Sequence, residues 1–155
     1  MILYHFTSLE MLERIKAEGL TKGEIPLTAY RTINAVWFTT DSDSSGHGLS
    51  DNEPLSREDI QKLKAAGLLS ASAPDEGIRH IDKRAVRIKV VIPSTDRDLK
   101  RWVTWGRKHL ERDWFDTLSE VGGGNQKART WYVCFRTIQP AEFAAIDILR
   151  PHPAT

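Results

Sequence analysis

The sequence predicts a single α+β domain, residues 1–155, built around a mostly antiparallel sheet. Three observations carry that reading. Extended, branched or aromatic runs are spread along the whole chain, in the expected order β-α-β-α-β-α-α-β-β. No internal repeat and no linker divides them. At 155 residues the chain is also long enough to bury roughly two-thirds of the surface its unfolded form exposes.

The elements follow in order. Residues 2–6 read as a first strand. Thr7 reads as the N-cap of a helix, with Glu10 completing a capping-box pattern Thr7-Ser-Leu-Glu10. That helix carries Leu9, Leu12 and Ile15 on one face, and Gly19 stops it. Residues 21–34, with Gly23, Pro26 and scattered Thr and Asn, read as a loop in which Tyr30 and Arg31 are the members large enough to reach a ligand. Residues 35–40 read as a strand, and 41–48 as a small, polar surface loop. Ser56-Arg-Glu-Asp59 is a second cap, opening a short helix through Ile60 and Leu63 to Gly67. Residues 68–82 read as a long irregular connection. In 85–92, Val86, Ile88, Val90 and Ile92 alternate with Arg87 and Lys89, which is a half-buried strand ended by Pro93. A helix is expected over roughly 96–110, then a turn or two carrying Trp114, Phe115 and Leu118 before Gly122-Gly-Gly124. Residues 130–137 form the next strand, 141–143 a short turn and 144–149 the last strand.

Composition excludes several classes. Apolar residues at 40% and charged residues at 28% describe a globular chain, not a disordered one. The net charge of +1, from 22 basic and 21 acidic residues, gives no global field for nucleic acid. Locally, Arg97, Lys100, Arg101, Arg107, Lys108 and Arg112 make a cationic helix face, the best nucleic-acid candidate in the chain. One cysteine, Cys134, rules out an internal disulfide and reads as a reduced, buried thiol. The N-terminal apolar run is too short for a signal segment, and no uncharged run reaches membrane length. The expectation is a cytoplasmic protein, in the host cytoplasm if phage-encoded, with no membrane partner. Five histidines (5, 47, 80, 109 and 152) show no metal-binding spacing, so no metal is expected. There is no P-loop, no GxGxxG after a strand and no GxSxG elbow.

Two stretches concentrate the chemistry. Met1-Ile-Leu-Tyr-His-Phe-Thr7 places His5 and Thr7 at the end of a strand that runs straight into a helix. There, unpaired backbone N–H groups favour an anionic or carbonyl ligand. Ala35-Val-Trp-Phe-Thr-Thr-Asp41 places Trp37 and Thr39 on one face of what reads as a neighbouring strand. A large aromatic beside a hydroxyl suits a stacking platform for a flat heterocycle, and it also suits a cation–π contact or core packing.

Tyr4-His-Phe-Thr7 and Val36-Trp-Phe-Thr39 resemble the first two motifs of the ADP-ribosyltransferase superfamily, including small phage and bacterial proteins of the same pattern. The resemblance implies an ADP-ribosyltransferase-like split sheet flanked by helices, with NAD as substrate rather than resident cofactor and no metal. It assigns the ribose to His5, the nicotinamide amide to Thr7 and the ring to Trp37, where the family usually has Tyr. Thr39 and Ser45 are further binding candidates, and Ser44 lies at an equivalent place. Tyr30, Arg31, Arg87 and Arg129 are available around the nucleotide, the arginines for phosphate. The family's catalytic glutamate would fall near Arg129-Thr-Trp-Tyr-Val133, where this chain has none. Glu120, Gln126 and Glu142 are the nearest candidates, out of register, and Glu120 is taken as the catalytic one. The activity implied is transfer of ADP-ribose to a macromolecular acceptor, protein or nucleic acid, in phage–host conflict. The alternatives are a catalytically silent module binding a nucleotide or partner, and an RNA phosphotransferase or nuclease.

Overall fold

The computed structural model describes residues 1–21, 23–28 and 30–150. Its strands are Ile2–Thr7 (β1), Glu24–Pro26 (β2), Thr32–Asn34 (β3), Val36–Thr39 (β4), Val86–Val91 (β5), Leu99–Arg101 (β6), Trp131–Cys134 (β7) and Phe143–Ile148 (β8). Six of them make one sheet in the order β6-β7-β4-β1-β5-β8, and each neighbouring pair is antiparallel. The chain is thus mixed α+β around an antiparallel sheet, as its pattern predicts. β2 and β3 stand apart as a two-stranded hairpin.

Because side chains alternate across a strand, the register sorts the sheet into two faces. One face carries Leu3, His5 and Thr7 from β1, Val36 and Phe38 from β4, and Val86, Ile88 and Val90 from β5. It packs against Leu12 and Ile15 of Leu9–Glu18 (α1) and against Ile138. The other carries Trp37, Trp131 and Val133. They pack on Trp102 of Trp102–His109 (α3) and Phe115 of Arg112–Val121 (α4). Val86, Ile88 and Val90 are fully buried, which matches the alternation of residues 85–92.

Helix α1 stops where Gly19 takes φ +85°, a region that disfavours a side chain; a Cβ there would lie 2.2 Å from the Ile138 carbonyl oxygen. Arg57–Ala65 (α2) opens on Ser56, whose side chain accepts from the Asp59 N–H at 3.1 Å, as its sequence predicts. Asn125–Ala128 (α5) follows the glycine run, and Pro140–Glu142 forms a 3₁₀ turn. Residues 68–82 contain no helix or strand. Asp75 holds them to α2, accepting from Lys64 at 2.7 Å and Gln61 at 2.8 Å, and an isolated bridge joins Arg79 to Pro54 ahead of that helix.

Three local expectations are corrected. Thr7 is not the cap of α1. It stays in β1 opposite Val86, so Ser8 takes the cap position, and its side chain makes no capping bond. Residues 21–34 are not all loop: Ile25 pairs with Ile33 in the hairpin, and the fully buried Ile25 anchors it to the second core. The helix expected over 96–110 begins only at Trp102. Leu99 is drawn into β6 opposite Cys134, so sheet pairing overrides the helical spacing.

Candidate functional site

The sheet is thinly paired at its centre. β1 pairs with β5 through six residues, but with β4 through the single pair Tyr4–Thr39. Beyond that pair the two strands separate. Trp37 turns its backbone carbonyl toward β1, and the ring of His5 answers it: Nδ1 lies 2.8 Å from the Trp37 oxygen. A carbonyl can only accept, so Nδ1 carries the proton. Burial lowers the pKa of His5 from its ordinary value, against the raising effect of this bond, so the ring is neutral near pH 7 and its Nε2 is an acceptor. No protein group among the described residues occupies Nε2. Among the described residues no fully buried side-chain nitrogen or oxygen is left unpaired, so Nε2 is open to solvent.

What Nε2 meets is a cleft of about 50 Å³ between the end of β1 and α1, lined by His5, Thr7, Met11, Arg14, Ile15 and the turn 19–21. Thr7 is buried, and its hydroxyl, like Nε2, has no protein partner among the described residues. Arg14 reaches the cleft while pairing through Nε with Glu18 at 2.9 Å. A neutral imidazole acceptor, a hydroxyl and a guanidinium suit a polar group carrying both donors and a negative charge. The volume is small against the roughly 300–1,000 Å³ that enclose a whole drug-sized ligand, so it has room for no more than one end of such a molecule.

Trp37 does not share that cleft. The Tyr4–Thr39 register sends its indole to the opposite face from His5, so the ring does not lie beside His5 as the resemblance implies. Its ring centroid lies 4.9 Å from that of Trp102 and 5.8 Å from that of Trp131, and its Nε1 donates to the Glu24 carbonyl at 3.0 Å. Of the readings open to it, core packing describes these contacts. Only its backbone carbonyl takes part at the split.

The other candidates are dispersed. Thr39 is fully engaged. Thr130 donates to the Lys127 carbonyl, so the Thr39 hydroxyl donates to Thr130 Oγ1 at 2.7 Å while accepting from the Asp41 N–H at 3.0 Å. Arg87 lies over the Tyr4 ring at 5.6 Å and bonds Asp147 and the Ser42 carbonyl, which leaves it committed to the sheet. Ser45 gives its N–H to Asp43 within the 41–48 loop, and Ser44 accepts from Arg84. Tyr30 is 96% exposed at the hairpin tip, and Arg31 beside it is exposed. Arg129 is exposed at the end of α5. Glu120 is exposed in the last turn of α4. Glu142 is spoken for by Arg136, at 2.7 and 2.9 Å, and by the Gln139 N–H.

A second polar cluster has no counterpart in the motif reading. His47 is buried, and its Nδ1 lies 3.0 Å from Trp131 Nε1, which can only donate. The His47 proton therefore sits on Nε2, 3.1 Å from Asp41 Oδ2, an oxygen that also accepts from Lys127 at 2.8 Å. For Asp41, burial acts to raise the pKa, but the bonds from Lys127, the Asp43 N–H and His47 outweigh it and bring the carboxyl down to about 2. Both His47 nitrogens are occupied, so this histidine is a fastener of the 41–48 loop rather than a base. The signal that points to it is Asp41-Ser-Asp-Ser-Ser-Gly-His47 itself, whose aspartates sit two residues before the N–H groups they accept from.

No family model, curated protein or solved structure matches this chain. The chemistry of the site rests on its own geometry. Among the described residues no cluster of three or more His, Cys, Asp or Glu is placed to hold a metal ion, and no helix is long and apolar enough to cross a membrane.

Proposed function

We propose that the protein binds NAD or a related nucleotide with one end in the His5 cleft. The activity that its resemblance implies is ADP-ribosyl transfer to a macromolecular acceptor. The observation that supports the reading is the neutral His5, proton committed to the Trp37 carbonyl and Nε2 open beside the Thr7 hydroxyl where β1 and β4 part. A nicotinamide amide or ribose hydroxyl is a donor that such an Nε2 can accept from, and Arg14 supplies a cation for phosphate. Calorimetric titration with NAD is expected to give saturable heat, lost in His5→Ala and weakened at least tenfold in His5→Gln. Affinity should hold from pH 8 down through pH 6.5, the ordinary histidine value, and fall only below it, because burial lowers the His5 pKa. No heat from the wild-type protein, or equal affinity in His5→Gln, ends this reading.

A second reading is a nucleotide-binding module without transfer. It is favoured by the described lining of the cleft, which contains no Asp or Glu, and by the position of Glu120 at the exposed end of α4. Transfer passes through a ribosyl cation that a carboxylate normally stabilises. Incubation with labelled NAD and cell lysate separates the two: labelled macromolecule supports transfer, and binding without label supports the module.

A further inference from the structure

The cations of this chain are unevenly neutralised. Arg14, Lys16, Arg57, Lys62, Lys64, Arg84, Arg87, Lys127, Arg136 and Arg150 each pair with a carboxylate. Arg31, Arg79, Lys83, Lys89 and Arg129 lack an ion pair among the described residues but are scattered along the chain, whereas Arg97, Lys100, Arg101, Arg107, Lys108 and Arg112 are all exposed and none makes an ion pair or a side-chain hydrogen bond among those residues. They occupy 16 consecutive positions holding only two acidic residues, Asp98 and Glu111, while the rest of the chain has more acidic than basic residues. The fold gathers them at one end: β6 is the edge strand of the sheet, α3 continues directly from it and α4 begins at Arg112. Six like charges left unpaired repel one another, a cost that a polyanion would remove.

The same surface carries an aromatic stack. Trp105 packs on Phe135 at 5.3 Å, and His109 lies on Trp105 at 4.9 Å and 28°, nearly parallel. Trp105 is partly buried, whereas His109 is exposed, so a flat ring can extend the stack from solvent. Arg107 lies over the Phe115 ring at 6.0 Å, which keeps its guanidinium on this end of the molecule. Phosphates want the cations, and an unstacked base wants the ring, and only a single strand presents both together. A duplex or an anionic membrane offers the charge without the free base.

We infer that the β6–α3–α4 end is a docking surface for single-stranded nucleic acid, separate from the His5 cleft. The test is fluorescence anisotropy with labelled single-stranded RNA and DNA oligonucleotides across a salt series. Expected is saturable binding whose log affinity falls against log salt with a slope of about −3 to −4, the value for four to six neutralised phosphates on a single strand. Arg101→Glu/Lys108→Glu should weaken binding roughly tenfold or more, and Arg97→Glu/Arg112→Glu, which leaves α3 untouched, should do likewise. Lys16→Glu/Lys62→Glu, exposed and ion-paired elsewhere, should not. His109→Ala should weaken the oligonucleotide but leave heparin, which has no bases, unchanged. Circular dichroism melts establish that each variant is folded. The inference is overturned by absence of saturable binding at 50 mM salt, by wild-type affinity in both charge-reversed pairs, or by a loss in His109→Ala equal for heparin and oligonucleotide. Tighter binding to a duplex or to phosphatidylserine vesicles than to the single strand overturns it as well.

Discussion

Two histidines show how neighbours decide what one side chain can do. His5 is half-buried and His47 buried, and each has a nitrogen tied to a group of fixed polarity. At His5 the Trp37 carbonyl claims only Nδ1 and leaves Nε2 open; at His47 a donor and a carboxylate claim both nitrogens. The second arrangement is a structural fastener whose strength depends on pH through Asp41. Its pKa is about 2 in the fold against 3.8 ordinarily, so its stabilisation is complete above pH 4 and is lost as pH falls toward 2. The side chain is 25% exposed, and with screening the gap is worth about 1–2 kcal/mol. Denaturant melts should therefore put wild type above Asp41→Asn by that amount near pH 6, with the difference shrinking as pH drops from 4 to 2. A difference that stays constant over that window would show that Asp41 does not contribute through its charge.

At the scale of elements, the junction of α4 with β7 is a close approach that only glycine allows. Gly122 has an ordinary φ of −83°, so conformational freedom is not the reason for it. A Cβ there would lie 1.8 Å from Trp131 Cη2, inside the ring that bonds His47. Gly122→Ala must displace Trp131 and loosen the 41–48 loop with it. The expected cost is about 1–3 kcal/mol, read from denaturant melts, together with faster amide exchange in residues 41–48. If stability falls while exchange in that loop is unchanged, Trp131 and the loop are not mechanically linked. The split between β1 and β4 belongs to the same scale. A ladder that stops after one pair leaves a carbonyl needing a donor, and His5 supplies it from a side chain.

For the whole molecule, the sheet is a partition between two cores. All five tryptophans belong to the core on the α3–α4 side, and none to the core under α1. Indole fluorescence thus reports one face directly, while far-ultraviolet circular dichroism reports the entire sheet. Ile88 is fully buried on the tryptophan-free face, and Ile88→Ala should cost about 2–5 kcal/mol. Because both faces share the same strands, the melting midpoints seen by fluorescence and dichroism are expected to fall together. A shift in dichroism alone would mean that the two cores unfold independently.

Local signals were enough for much of this architecture. Alternation over 85–92 placed β5 and its inward face, Ser56 with Asp59 placed the start of α2, and Gly19 placed the end of α1. Each depends on residues a few positions apart, which is the range that propensity, capping and periodicity describe. The hairpin of β2 and β3, the capture of Leu99 by β7 and the passing of the cap from Thr7 to Ser8 depend on partners far along the chain. Strands of three residues are too short to carry a period of their own. The candidate site divides in the same way. His5 and Thr7 were legible because they end a strand and precede a helix. The separation of Trp37 from His5 was not, because a residue's face is set by register with the neighbouring strand, and a shift of one residue exchanges the faces. Chain order alone is enough to single out His5 and Thr7 as candidates, but not the His47–Asp41 cluster. The tertiary structure decided which of them meet, since hydrogen-bond register and the packing of two cores bring together positions that chain order leaves far apart.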